Sequence, residues 1–128
     1  TIEINDEFEE IIRYWVHESG YEDKIKLHVG DAMKIVPDFE DEFDLVFIDL
    51  DKRDYLKCFE TILPKVKPGG FIIADNTLWY GKVIGKIEKA DTQSLAISEF
   101  NDYIAFDTRV EKVILPIRDG LTLIRKKD

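Results

Sequence analysis

The chain has 128 residues, 27 acidic against 18 basic, a formal net charge of -9, and 45% hydrophobic with 12% aromatic side chains, the make-up of a folded domain. Eight Phe, five Tyr and two Trp supply a core that a disordered chain of this charge would lack. No apolar run approaches the roughly 20 residues that cross a bilayer, the acidic balance argues against nonspecific duplex binding, and the lone Cys58 permits neither an internal disulfide nor a cysteine-based zinc site.

Residues 1–4 read as a strand. Asn5 or Asp6 then caps a helix in which Phe8, Ile11, Ile12, Trp15 and Val16 share one face, with Asp6 and Glu9 spaced as a capping box. The helix stops near Gly20. Residues 24–29 alternate as a second strand, and Gly30-Asp31 turns into a short helical segment ending at Pro37. Residues 43–48 form a continuous apolar run, the pattern of a strand covered on both faces in a parallel sheet. A helix follows with Tyr55, Leu56, Phe59, Ile62 and Leu63 on its inner stripe, and Lys67-Pro68-Gly69-Gly70 breaks it. Residues 71–74 are the next buried strand. After a loop over 77–90, Asp91 or Thr92 caps a third helix whose inner face is Ala96, Phe100, Tyr103 and Ile104. Strands over about 109–115 and 121–125 close the chain as an antiparallel pair, joined through Pro116 and Asp119-Gly120. No linker or repeat divides the sequence, which therefore reads as one domain or one piece of one.

Alternating strands and helices predict an α/β fold: a Rossmann-like, doubly wound, mostly parallel sheet with a C-terminal antiparallel hairpin, binding ligands past the carboxyl ends of its strands. The polar residues there are Glu3, Asp31, Asp49, Asp51, and Asp75 with Asn76. Glu3 sits where nucleotide-binding sheets place an acid against both ribose hydroxyls; the plainer role is complementing the dipole of the next helix. Asp31 either hydrogen-bonds an adenine edge or caps its short helix. Asp49, Asp75 and Asn76 offer two carboxylates and an amide carbonyl, part of an oxygen shell for a hard divalent cation, or else simply cap and turn the chain. Lys52, three residues past Asp49, either offsets the carboxylates as an ion pair or serves as a general base.

His17 and His28 lack partners at ligand spacing and read as surface or packing residues. Cys58 lies beside an apolar stripe without an activating base and reads as an inert thiol. Lys82, Lys86 and Lys89 read as solvated loop charge. Trp79 and Tyr80, directly after Asp75-Asn76, read as a wall of a substrate pocket.

Taken in order, several motifs resemble the S-adenosylmethionine-dependent, divalent-cation-dependent O-methyltransferases that include the catechol and caffeoyl-CoA enzymes. They are Thr1-Ile2-Glu3-Ile4, Val29-Gly30-Asp31-Ala32, Phe47-Ile48-Asp49-Leu50-Asp51-Lys52 with Tyr55, and Lys67-Pro68-Gly69-Gly70. Ala74-Asp75-Asn76 with Leu78-Trp79-Tyr80-Gly81, and Pro116-Ile117-Arg118-Asp119-Gly120-Leu121, complete the series. The resemblance implies that Glu3 holds the cofactor ribose, that Gly30, Asp31 and Ala32 line the adenine pocket, that Asp51 contacts the methionine moiety, and that Asp49 is also cofactor-binding. It implies a cation, magnesium first with calcium or manganese as alternatives, on Asp49, Asp75 and Asn76. Lys52 matches the family's base, and Trp79 and Tyr80 would border the acceptor. The expected partner is a small hydroxylated molecule, with a hydroxylated RNA base as a further option, and no membrane. A cytoplasmic homodimer is expected.

Three residues depart from the family pattern: Leu50 replaces a smaller residue or a histidine, Arg118 a common glycine, and Val113 lies near an acidic contact of the catechol enzyme, which argues against catechol itself as acceptor. The resemblance also implies a preceding strand with a Gly-rich turn, between the strand at residues 1–4 and the one ending before Asp49. Without it, unpaired backbone would open in mid-sheet, so the chain is expected to be a fragment or to have the gap closed by neighbours, and alone to bind cofactor poorly. The competing readings are a nicotinamide-dependent oxidoreductase, for which no catalytic Tyr/Lys or His pair is found; a phosphoacceptor receiver domain, whose acidic pair only Glu3 and Asp6 approximate; and a noncatalytic remnant used for association.

Overall fold

The structure, a computed structural model, describes residues 1–128, which form two compact units, Thr1–Phe39 and Glu40–Asp128. In the first, β1 (Ile2–Glu3) pairs in parallel with β2 (His28–Val29), Ile2 opposite His28 and Glu3 opposite Val29. Between them a 3-10 turn, Asp6–Phe8, leads into α1 (Glu9–Glu18). Asn5 is the cap: its side chain accepts the Glu7 N–H at 3.0 Å, so the Asp6/Glu9 capping box does not form. Gly20, at φ +70, supplies the left-handed residue that ends α1. The second strand is shorter than its alternation implies: residue 24 ends a turn, 25–27 are irregular, and only His28–Val29 pair. The short α2 (Ala32–Ile35) continues as a 3-10 turn, Val36–Asp38. No residue of the 3-10 turn or of α1 is buried: Phe8, Ile11 and Trp15, expected on one apolar face, are all more than half exposed.

The second unit holds a four-stranded sheet in the order β3-β4-β6-β5. β3 (Phe43–Ile48) runs parallel to β4 (Val66–Asp75); β6 (Leu121–Lys126) is antiparallel to both β4 and β5 (Val110–Leu115). The expected C-terminal hairpin is therefore present. The expected break at residues 67–70 lies inside β4 instead. Its register jumps from Phe43 opposite Val66 to Leu45 opposite Phe71, and Gly69 at φ +76 absorbs the bulge. Gly70 is needed there, since a Cβ would lie 2.8 Å from Val66 Cγ1 and 3.0 Å from the Asp44 carbonyl oxygen.

One sheet face carries the core. Ile48, Ile72, Ala74 and Ile124 point into it and meet Tyr55, Phe59 and Ile62 of α3 (Tyr55–Ile62) and Ile97, Phe100 and Ile104 of α4 (Thr92–Phe106). Phe100 takes Tyr55 and Phe59 edge-on, at ring centroid distances of 5.5 and 6.1 Å. Tyr103, expected in this core, is instead 42% exposed and gives its hydroxyl to Glu60. The opposite face is open within the unit: Leu45 and Phe47 are 57% and 56% exposed, although β3 reads as covered on both sides. β3 is also an edge strand of its sheet, and β1 and β2 form a separate two-stranded sheet. No helix is long and apolar enough to cross a membrane.

Candidate functional site

In the first unit the parallel pairing of β1 and β2 brings Glu3, Gly30, Asp31 and Ala32 to one strand end. The Gly30 N–H donates to the Glu3 carbonyl at 2.8 Å, with Gly30 at φ +139, and a Glu3 carboxylate oxygen accepts the Asn5 N–H at 2.8 Å. Asp31 caps α2 by accepting the Met33 N–H at 2.9 Å. A Cβ at Gly30 would lie 3.3 Å from Ile35 Cδ1, a tight contact with one side chain. His28 packs its ring against Phe39 at 5.1 Å, as a packing residue does.

In the second unit Ile48 pairs with Ala74, so Asp49 and Asp75 leave adjacent parallel strands at the same level. Asp51 starts the 3-10 turn Lys52–Asp54 and is clamped by Arg53, whose Nε and Nη2 donate to its carboxylate at 2.8 and 2.6 Å. Those bonds, aided by the Arg53 backbone N–H, lower its pKa to about 2. The turn carries Lys52 inward, where the residue is only 5% exposed. Lys52 Nζ donates to Asp49 Oδ1 at 3.2 Å and to the Tyr55 hydroxyl at 2.5 Å, and lies 4.5 Å from the Tyr55 ring centroid and 5.7 Å from that of Trp79.

Tyr55 reads in the sequence as a core residue and a member of a family motif, with no role in the site. It is fully buried, and its hydroxyl donates to the Asp75 carbonyl at 2.9 Å, with the Ile48 carbonyl at 3.4 Å. One phenol thus ties together the ends of β3 and β4 and the Lys52 side chain. Burial, then the negative charges of Asp49 and Asp75, push its ionisation far above the usual tyrosine range. The legible signal was spacing: Tyr55 follows Lys52 by one helical turn.

Asp75 Oδ1 accepts the Asn76 N–H at 2.7 Å, and Asn76 takes a left-handed φ of +56 that asparagine tolerates. Asp75 and Asn76 line a cavity of about 490 Å3 with Tyr80, Arg118 and Asp119; Asp49 and Trp79 do not line it. Of the two aromatics expected to form a pocket wall, Tyr80 faces this cavity and Trp79 lies over Lys52.

The segment 76–81 is unusual, with Asn76, Trp79, Tyr80 and Gly81 all at positive φ. The turn before β6 holds it. The Asp119 carbonyl accepts the Leu78 N–H at 2.8 Å and the Trp79 N–H at 3.3 Å, the Gly120 carbonyl accepts the Thr77 N–H at 3.1 Å, and the Asp119 carboxylate accepts the Tyr80 N–H at 2.6 Å. Beneath it, buried Thr122 donates to Thr77 Oγ1 at 2.8 Å and Asn101 of α4 donates to the Thr77 carbonyl at 2.7 Å. Thr77 and Asn101 carry no site signal in the sequence and Asp119 only a place in a motif, because their partners lie 24 to 45 positions away.

No group of three or more His, Cys, Asp or Glu side chains is placed to hold a metal. A cation here would therefore rest on two carboxylates, one amide and oxygens from outside the chain. The donor chemistry fits: Asp49 Oδ2, Asp75 Oδ2 and the Asn76 side chain receive no hydrogen bond from the protein, and all three offer hard oxygen. Cys58 is buried in α3, and burial raises its thiol to about 11, so it stays unreactive.

A family model described as O-methyltransferase matches residues 1–127. The chain is 38% identical over 122 residues to the caffeoyl-CoA O-methyltransferase of Populus kitakamiensis, covering 88% of this chain and 52% of that protein. Among solved structures, the SAH-bound Podospora anserina methyltransferase PaMTH1 superposes with a TM-score of 0.88 at 29% identity, covering 100% of this chain and 60% of that one. The Streptomyces achromogenes O-methyltransferase TomG, involved in tomaymycin synthesis and solved in complex with SAM, gives 0.90 at 26% identity, covering 100% and 61%. The chain spans about half the length of the curated relatives it matches.

Proposed function

The chain belongs to the O-methyltransferase family, and from that premise we propose that the protein moves a methyl group from S-adenosylmethionine to a hydroxyl of a small, metal-chelated acceptor with neighbouring hydroxyls. Relatives named for caffeoyl-CoA and neighbours solved with SAM or SAH support the cofactor and the vicinal diphenol class. The observation that carries the reading is Lys52: a buried amine held between Asp49 and the Tyr55 hydroxyl, at the ends of the two strands that present Asp49, Asp75 and Asn76.

Bound there, a divalent cation would lower the pKa of an acceptor hydroxyl. The chain's own residues do the rest. In the first unit Glu3, Gly30, Asp31 and Ala32 are the residues for the cofactor's nucleoside; in the second, Asp51 is the residue for its methionine end. Arg53 keeps the Asp51 carboxylate charged and fixed, a suitable neighbour for a sulfonium or an α-amino group. In its neutral amine form Lys52 Nζ takes the hydroxyl proton and becomes the ammonium, with Tyr55 and Asp49 fixing its position. Tyr80, which lines the cavity, orients the aromatic acceptor for attack in line with the methyl, and Trp79 packs over Lys52.

Replacing Asp49 or Asp75 by Ala should abolish magnesium-stimulated transfer of labelled methyl from S-adenosylmethionine, with circular dichroism unchanged. Undiminished turnover in either variant would refute the metal-assisted reading.

A further inference from the structure

The cavity beside Asp75 and Asn76 contains a charge that the methyl-transfer chemistry does not use. Of the five arginines, Arg13, Arg53, Arg109 and Arg125 are each in an ion pair, with Glu9, Asp51, Asp107 and Glu111 respectively. Arg118 is in none and makes no side-chain hydrogen bond, although acidic residues outnumber basic ones 27 to 18. It shares the cavity lining with the Asp75 and Asp119 carboxylates but is in an ion pair with neither; Asp119 accepts the Tyr80 N–H, and Asp75 accepts the Asn76 N–H. Its backbone sits at φ +49, a conformation glycine adopts freely and arginine only at a cost. The clamp of Asp119 and Gly120 on residues 77–80 fixes this turn against the segment carrying Asn76 and Tyr80.

We propose that Arg118 is a specificity-determining residue that selects acceptors carrying an anionic group, a carboxylate or a phosphate, remote from the reacting hydroxyls. This deepens the methyltransferase reading and rests on it for the other end of the acceptor. The planar guanidinium offers two parallel donors that match either oxyanion. It also offsets the negative field of a chain of net charge -9, which otherwise repels such a ligand. A neutral diphenol fills the aromatic part of the cavity and leaves the guanidinium unused.

The test compares intact wild-type protein with Arg118→Gly and Arg118→Lys. Glycine suits the left-handed position, so loss of fold does not confound the first variant. NMR titrations measure affinity for 3,4-dihydroxybenzoate and for neutral catechol, and competition by coenzyme A reads the phosphate case; methyl transfer to the two diphenols is measured in parallel. Wild type should favour 3,4-dihydroxybenzoate, or be competed by coenzyme A, by roughly five- to tenfold over Arg118→Gly, and the preference should fall as salt is raised. Arg118→Lys should keep part of it. Loss of the carboxylate preference identifies a carboxylate acceptor, and loss of coenzyme A competition a phosphate-bearing one. An unchanged ratio of affinities for both probes in Arg118→Gly overturns the proposal. Absence of methyl transfer to any acceptor would count against the methyltransferase reading alone, because the charge preference is read from binding.

Discussion

Tyr55→Phe separates the polar role of this side chain from its packing role. Phenylalanine keeps the ring, its edge contact with Phe100 at 5.5 Å and the filled volume, so no cavity opens. What disappears is the hydroxyl, which donates to the Asp75 carbonyl at 2.9 Å and accepts from Lys52 Nζ at 2.5 Å. A neutral buried hydrogen bond is worth about 1 kcal/mol net and one to a charged group about 1.5–3 kcal/mol, so the variant should lose roughly 2–4 kcal/mol. For a chain of this size that lowers Tm by roughly 6–15 °C in calorimetry. A second consequence concerns pH. Because the folded phenol resists ionisation while the unfolded one ionises near its ordinary value, stability contributed by Tyr55 is complete below about pH 10 and falls as pH rises past it. Tyr55→Phe should abolish this alkaline loss. Methyl transfer should also slow by about tenfold, since Lys52 Nζ loses its closest partner. A variant that melts within about 1 °C of wild type with the same alkaline slope would show that the hydroxyl bridges nothing of consequence.

Two other substitutions test the surroundings. Gly120→Ala places a Cβ 2.5 Å from Leu78 Cγ and 2.6 Å from the Leu78 nitrogen, at φ +87, so chemical denaturation should show a loss of about 2 kcal/mol or more; a midpoint equal to wild type would mean the turn does not clamp residues 77–80. Arg53→Gln should raise the Asp51 pKa from about 2 toward the ordinary carboxylate range, as followed by carbon-13 NMR. Because the depressed carboxylate stabilises the fold above its unfolded pKa near 4 and ceases to do so as pH falls through about 2, the acid limb should become shallower over that window. Both side chains are partly exposed, so solvent screening keeps the contribution small, and an Asp51 titration unmoved by the substitution would remove Arg53 as its cause.

Much of the second unit was legible from pattern. The apolar run at 43–48, the stripe through Tyr55, Phe59 and Ile62, and the antiparallel end of the chain each appear where periodicity placed them, because neighbours three or four residues apart suffice to define them. The spacing of Asp49 and Lys52 likewise foretold their contact. Periodicity misjudged coverage. Leu45 and Phe47 are as apolar as Val46 and Ile48, yet only the latter two share the helix-covered face, and nothing local records which face of a strand receives a layer.

The order of residue types along the chain was enough to reveal an α/β fold, the acids and amide after successive strands, and the family, because these depend on local periodicity and on motif spacing. The Tyr55 bridge between two strand ends, the clamp of Asp119 on Tyr80 across 39 positions, and the solitary guanidinium of Arg118 beside Asp75 and Asn76 came only from the folded chain. Each is a pairing of groups distant in sequence. Burial and parallel register bring such groups together, and no repeat of 2 or 3.6 residues encodes which partner a side chain will meet.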